Sequence, residues 1–155
     1  MRHRGIATLA VAAIVACLLL SRYDPQFSLL HIYESAIYMV LLFLLNYEEE
    51  EWAYVLGVSA PAVWLALVSA SNLNGILRQT ERVVHLQAPD YPANLIGAAA
   101  MVISLLMLGT CVYRWRQARW GFRHAWRTVG VIAVMVVAYY GVLVAWYSKL
   151  VMASG

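Results

Sequence analysis

Apolar residues in this chain gather into five long stretches that short polar segments separate. An α-helix rises about 1.5 Å per residue and the hydrocarbon core of a bilayer is about 30 Å thick, so about 20 apolar residues cross it. Each stretch is close to this length, and all but the second lack Asp, Glu, Lys, Arg and His. The pattern therefore predicts membrane-spanning helices at residues 5–21, 27–46, 52–71, 95–112 and 128–147.

The composition agrees with this pattern. The 155 residues are 63% hydrophobic and 12% charged, which is too apolar for a soluble domain of this size. We therefore predict an all-α integral membrane protein, with one transmembrane domain over residues 1–155 built as a bundle of about five helices. No phosphate-binding glycine loop, His-Glu-x-x-His, Cys-x-x-Cys or Gly-x-Ser-x-Gly signature occurs, so the sequence does not favour an enzyme and indicates no particular cofactor.

The third stretch continues into a segment of different character. Pro61 is expected to kink the stretch, and beyond Ser71 the apolar residues recur at helical spacing with polar residues between them. This amphipathic pattern ends before Pro89. It predicts a separate short helix at residues 74–87 that lies on the outer membrane surface.

Basic residues are unevenly divided between the two sides of the predicted bundle. If the N-terminus is inside, the inner segments hold seven of the eleven Lys and Arg residues and the outer segments hold four: Arg22, Arg78, Arg82 and Lys149. The positive-inside rule then predicts a cytoplasmic N-terminus and, with five spans, a C-terminus outside the cell's inner membrane. Arg2 and Arg4 precede an apolar run without a clear cleavage site, which favours an uncleaved signal anchor.

The second stretch carries the sharpest candidate for chemistry. Glu34 lies about seven residues into it, and ionisable groups at such depth usually face the bundle interior or a water-filled cavity. His31 stands three residues earlier on the same helix face, so the two side chains are expected to pair. Glu34 is a candidate for relaying protons or binding a cation or ligand; the alternative is a structural hydrogen bond to Tyr, Ser or Asn on a neighbouring helix.

Two tyrosines and one further histidine extend this candidate site. Tyr139 and Tyr140 lie near the middle of the fifth stretch, where a hydroxyl needs a partner such as Glu34 or Ser104. A metal or haem site is a weaker hypothesis, because its candidate ligands are scattered along the chain: His31, Glu34 and His85.

Two charged segments lie at the predicted inner face. The acidic turn is a solvated turn or a docking site for a basic partner, and it consists of Glu48, Glu49, Glu50 and Glu51. The segment between the fourth and fifth stretches interleaves arginines with aromatic residues, which favours anionic lipid or a protein partner over nucleic acid. Its candidate contact residues are Arg114, Trp115, Arg116, Arg119, Trp120, Arg123, Trp126 and Arg127.

Three functions are compatible with these features. The first is a non-catalytic subunit or assembly partner of a larger membrane complex, or a self-associating protein, because small residues in the spans favour close helix contacts. The second is a small proton- or cation-coupled channel or transporter that uses Glu34. The third is a membrane redox protein or enzyme with a metal, haem or quinone near His31 and Glu34.

Overall fold

The computed structural model describes residues 3–47, 49–117 and 122–153, and this part of the chain is helical without a strand. Five α-helices follow one another: α1 (Arg4–Tyr23), α2 (Ser28–Asn46), α3 (Glu50–Val84), α4 (Pro92–Gln117) and α5 (Phe122–Ala153). A short 3-10 turn, Pro25–Phe27, joins α1 to α2. All five helices are long and apolar enough to cross a membrane. The prediction of an all-helical chain with five apolar helices is confirmed, and it suggests a multi-pass membrane protein.

The first four helices pack as a closed ring, and the fifth lies against its side. Neighbours in the ring are α1 and α2, α2 and α3, α3 and α4, and α4 and α1, while α5 contacts α3 and α2. The buried residues of α5 recur every three or four positions and form one face: Thr128, Ile132, Val136, Tyr140 and Leu143. Its opposite face is apolar and exposed, as at Val134 and Val137. An apolar outer surface around buried polar groups is the arrangement that a hydrocarbon solvent favours.

Helices α3 and α4 pack closely against one another. A Cβ atom placed on Gly57 of α3 would lie 2.5 Å from the Cys111 Sγ atom of α4. Near the other end of the same pair, the Asn72 side-chain amide donates a hydrogen bond to the Asn94 side chain at 2.9 Å. Small residues that admit a neighbouring helix and polar side chains that bond across it are the two usual ways in which helices associate in lipid.

The small residues of α5 are arranged differently. A Cβ atom added to Gly130 or Gly141 would meet nothing within 4 Å, and Ala133 and Ala138 are exposed. Close packing through small residues therefore occurs within the chain between α3 and α4, and the small residues of α5 face outward.

The helix predicted at residues 74–87 is not a separate element. Helix α3 is continuous over 35 residues, with Pro61 inside it, and residues 74–84 form its last turns. Ile76 in these turns is buried, and Gly97 of α4 lies against it. This contact and the Asn72–Asn94 bond keep the end of α3 packed on α4, so the chain has no reason to turn along the membrane. At about 1.5 Å per residue, the 35-residue α3 is about 52 Å long, which exceeds the thickness of a bilayer's hydrocarbon core, about 30 Å.

We predict that Gly57→Ala destabilises the bundle by about 1–3 kcal/mol, because the added methyl group overpacks a fully buried contact. The measurement is the free energy of unfolding in detergent, or the melting temperature if unfolding is not reversible. Gly109→Ala is the matched control, since a Cβ atom there meets nothing within 4 Å.

A second variant tests the cause of this destabilisation. Cys111→Ala removes the Sγ atom that the new methyl group would strike, and it should recover most of the stability that Gly57→Ala loses. If Gly57→Ala is as stable as Gly109→Ala, the close approach of α3 and α4 is not a constraint on the fold.

Candidate functional site

Glu34 lies inside the bundle, nearly two turns from the start of α2. Its residue surface is 8% exposed, and its Oε2 atom lies 3.0 Å from the His31 Nδ1 atom. The three-residue spacing on one helix places both side chains on the same face, as the sequence predicts. The buried carboxyl is therefore hydrogen-bonded to an imidazole of its own helix.

Asp24 approaches the other side of the same imidazole. It lies in the tight connection after α1, where its backbone N–H bonds to the Leu20 carbonyl at 2.8 Å. Its Oδ2 atom is 3.7 Å from the His31 Nε2 atom, too far for a hydrogen bond and close enough for an ion pair. The Nε2 atom is buried and has no hydrogen-bond partner within the described residues.

The role of each His31 ring nitrogen depends on the tautomer and the charge of the ring. When Nδ1 donates to Glu34, the Nε2 atom of a neutral imidazole carries a lone pair that faces the Asp24 carboxylate. Two acceptors then face one another. Protonation of Nε2 would instead give an imidazolium between the two carboxyl groups.

Further polar groups surround Glu34 inside the bundle. Cys17 of α1, Tyr38 of α2, and Tyr139 and Tyr140 of α5 all interact electrostatically with its carboxyl. Tyr38 was missed at the sequence level, although its position four residues after Glu34 on one helix places it on the same face. Asp24 was missed as a direct partner because the turn that brings it to His31 is set by tertiary structure.

The two candidate tyrosines have different partners from those expected. The Tyr139 hydroxyl donates to the Tyr33 carbonyl, and the Tyr33 hydroxyl donates to the Tyr139 carbonyl at 3.3 Å. Their rings stack with centroids 4.4 Å apart. Neither Glu34 nor Ser104 is the hydrogen-bond partner of Tyr139. The Tyr140 hydroxyl is buried near the Tyr38 side chain, and it makes no hydrogen bond of standard geometry to any described residue.

His85 lies apart from this cluster, at the end of α3, in a cavity that Arg78 and Asp90 also line. The described ranges contain no group of three His, Cys, Asp or Glu side chains arranged to hold a metal ion. His31 itself is held between Asp24 and Glu34. The metal and haem hypotheses therefore gain no support from the geometry.

The acidic turn is tied to the N-terminal end of α1. The Glu50 Oε1 atom lies 2.9 Å from the His3 Nε2 atom, and the Tyr54 hydroxyl lies 3.0 Å from the His3 Nδ1 atom. Glu49 is exposed, the Glu51 Oε1 atom is buried without a hydrogen bond to the described residues, and Glu48 lies outside them. The turn is therefore more than a solvated connection, which the sequence did not indicate.

The segment of arginines and aromatic residues is described only at its two ends. On α4, Arg114 and Trp115 are half-buried and Arg116 is exposed; on α5, Trp126 and Arg127 are exposed. Trp115 packs against the core of the bundle. Of the predicted contact residues, Arg119 and Trp120 lie outside the described residues, and so does the side chain of Arg123.

Comparison with protein-family models, curated proteins and solved structures finds no match to this chain. The inference of function therefore rests on the site itself.

We predict that Tyr139→Phe lowers the free energy of unfolding by about 1 kcal/mol, because it removes a hydrogen bond between α5 and α2 and retains the stacked ring. Tyr140→Phe is the matched control on the adjacent residue. It removes a buried hydroxyl that has no hydrogen bond, so stability should stay the same or rise. A loss for Tyr140→Phe as large as that for Tyr139→Phe would contradict this assignment.

Proposed function

We propose that this protein is a multi-pass membrane protein that binds protons reversibly at the Asp24–His31–Glu34 group, as part of proton- or cation-coupled transport. The observation that carries the proposal is a histidine held between a buried carboxyl of its own helix, Glu34, and a partly exposed carboxyl, Asp24, in the connection between α1 and α2. Ionisable groups are costly in this environment, so a cluster of three is a candidate for function.

The exposed fraction of the side chain decreases from Asp24 to His31 to Glu34. Asp24 is 35% exposed, His31 is 15% exposed and Glu34 is 10% exposed. A proton from water therefore meets Asp24 first, and the two nitrogens of the imidazole can accept it on one side and release it on the other. Tyr38 and Tyr140 lie beyond Glu34 toward the interior of the bundle, and their hydroxyl groups extend the polar path.

The side from which protons enter follows from the distribution of charge. Arg4, Arg114 and Arg127 lie at the end of the bundle that carries the N-terminus, and Arg22 and Arg78 lie at the opposite end. By the positive-inside rule, we propose that the N-terminus is cytoplasmic in the cell's inner membrane and that the C-terminus is outside. The Asp24 end of the path then opens to the outer side.

We predict that His31 changes its charge reversibly when the external pH is varied, as measured by NMR of ¹⁵N-labelled imidazole groups in nanodiscs. Glu34→Gln should displace the midpoint of this titration by about one pH unit or more, since one unit corresponds to about 1.4 kcal/mol of changed interaction. His31→Gln assigns the signal, and Glu81→Gln, an exposed carboxyl at the end of α3, is the control that should leave it unchanged.

Transport is tested in vesicles that enclose a pH-sensitive dye. An imposed pH difference should drive proton entry through the wild-type protein, and Glu34→Gln should abolish it without lowering the melting temperature. If Glu34→Gln conducts protons as the wild type does, or if the His31 signal never titrates, the proposal fails and Glu34 has a structural role.

A second candidate function is favoured by the outer face of α5. Gly130 and Gly141 are open on this face, and small residues of this kind allow another helix to approach closely in lipid. This supports a non-catalytic subunit or assembly partner of a larger membrane complex. The exposed Arg116, Trp126 and Arg127 support contact with anionic lipid or a partner at the inner surface.

We predict that Gly141→Leu reduces association with other chains and preserves the fold, because the added side chain fills open space on the outer face of α5. Native mass spectrometry of the protein extracted gently from its own membranes measures the association. Val137→Leu, on the same exposed face, is the control. A wild-type preparation that remains monomeric under these conditions would contradict the subunit function.

A further inference from the structure

A polar cavity lies at the outer end of α3, where the chain turns back toward α4. Its volume is about 370 Å³, and every side chain that lines it is polar or charged. This volume lies within the range of small-ligand sites, which is about 300–1,000 Å³. The cavity is separate from the Asp24–His31–Glu34 group.

Two contacts build one wall of the cavity. The Gln79 side chain is buried, and its Oε1 atom accepts the backbone N–H of Asp90 at 3.1 Å. The Asp90 carboxylate forms an ion pair with Arg82. The loop after α3 is thereby joined to the helix, and the charges of Arg82 and Asp90 compensate one another.

The end of α3 is closed by a defined turn. The Gln87 N–H bonds to the Arg82 carbonyl and the Leu86 N–H bonds to the Val83 carbonyl, both at 2.9 Å. Leu86 has a φ of 56°, the left-handed conformation that this type of helix ending requires. His85 is therefore held at the helix terminus, on the rim of the cavity.

The groups that remain unpaired define the ligand chemistry. Arg78 and His85 lie seven residues apart, two turns of α3, so they share one face of the helix, and Arg82 between them is already paired with Asp90. Arg78 and Glu81 line the cavity, and neither forms an ion pair with any residue in the described part of the chain. A purely anionic ligand would meet Glu81, and a purely cationic ligand would meet Arg78. A ligand with one charge of each sign satisfies both.

The position of the cavity agrees with such a ligand. The uncharged run of α3, residues 52–77, measures about 39 Å along the helix, close to the thickness of a bilayer with its headgroup layers, about 40–45 Å. Arg78 is the first charged residue after it, so the cavity opens at the level of the headgroups.

We propose that this cavity binds a zwitterion with a phosphate and a primary ammonium group, the chemistry of a phosphatidylethanolamine headgroup and of free phosphoethanolamine. The phosphate binds Arg78 and His85, and the ammonium donates hydrogen bonds to Glu81. A choline headgroup lacks N–H donors, and a glycerol headgroup lacks the positive charge, so both bind more weakly.

The test is native mass spectrometry of the detergent-solubilised protein, titrated with short-chain lipids that carry ethanolamine, choline or glycerol headgroups. The wild type should prefer the ethanolamine lipid about tenfold, since one charge-assisted hydrogen bond is worth at least about 1.4 kcal/mol. Glu81→Gln should remove this preference, and Arg78→Gln should weaken the binding of all three lipids. Arg22→Gln, at the same end of the bundle and outside the cavity, is the control for a non-specific loss of charge.

The source of the ligand is decided by competition with free phosphoethanolamine. If free phosphoethanolamine displaces the lipid, the headgroup alone is sufficient for binding, and the free compound is also a ligand. If it does not displace the lipid, the ligand is the intact lipid. Equal binding of the three lipids to the wild type overturns the proposal, as does a preference that Glu81→Gln and Arg78→Gln leave unchanged. Melting temperatures establish that the variants are folded, and since none of them alters Glu34, the result is independent of the proton site.

Discussion

The close approach of α3 to α4 is the contact on which the rest of this molecule depends. Without a side chain at Gly57, the buried Cys111 thiol lies directly against the backbone of α3. This distance allows the Asn72–Asn94 hydrogen bond to form farther along the same pair. Because α3 also contacts α2 and α5, its position on α4 determines where the remaining helices pack.

Helix α3 is long enough to take part both in its contact with α4 and in the polar groups at its two ends. Its first turn carries Glu50, which contacts His3 at the start of α1, and its last turns line the polar cavity. The helix is continuous between these two ends. A ligand in the outer cavity contacts the same helix that forms the groove for α5, and α5 in turn covers Glu34 through Tyr139 and Tyr140.

Polar groups inside the bundle are mostly satisfied by contacts within the chain. Tyr33 and Tyr139 exchange hydrogen bonds with one another's backbone, and Glu34 bonds to His31. Among the described residues, the buried side-chain atoms without a hydrogen bond are the His31 Nε2 atom, the Glu51 Oε1 atom, the Trp64 Nε1 atom and the Tyr140 hydroxyl. Two of these, on His31 and Tyr140, belong to the cluster around Glu34. Buried polar atoms without partners are expensive, so these two are the features of the cluster that ordinary structural hydrogen bonding does not explain.

The local sequence pattern was sufficient to predict the five helices and one pair of contacting residues in the candidate site. Apolar length predicted five helices, and a spacing of three residues predicted the contact between His31 and Glu34, because both depend only on helix geometry. The end of α3 was predicted wrongly, since an amphipathic pattern is equally consistent with a membrane surface and with packing against another helix. In this structure, the contact between Ile76 of α3 and Gly97 of α4 shows that the segment packs against another helix.

What the sequence by itself determined is therefore the helical, membrane-compatible nature of the chain and the helix that bears its buried charge. Only the tertiary structure decided which small residues bring helices together, Gly57 within the chain and Gly130 and Gly141 facing outward. It also brought Asp24 to His31, His3 to Glu50 and Asp90 to Arg82. The physical reason is that contacts between elements depend on the relative rotation of helices and on the path of their connections, which spacing along a single helix does not encode.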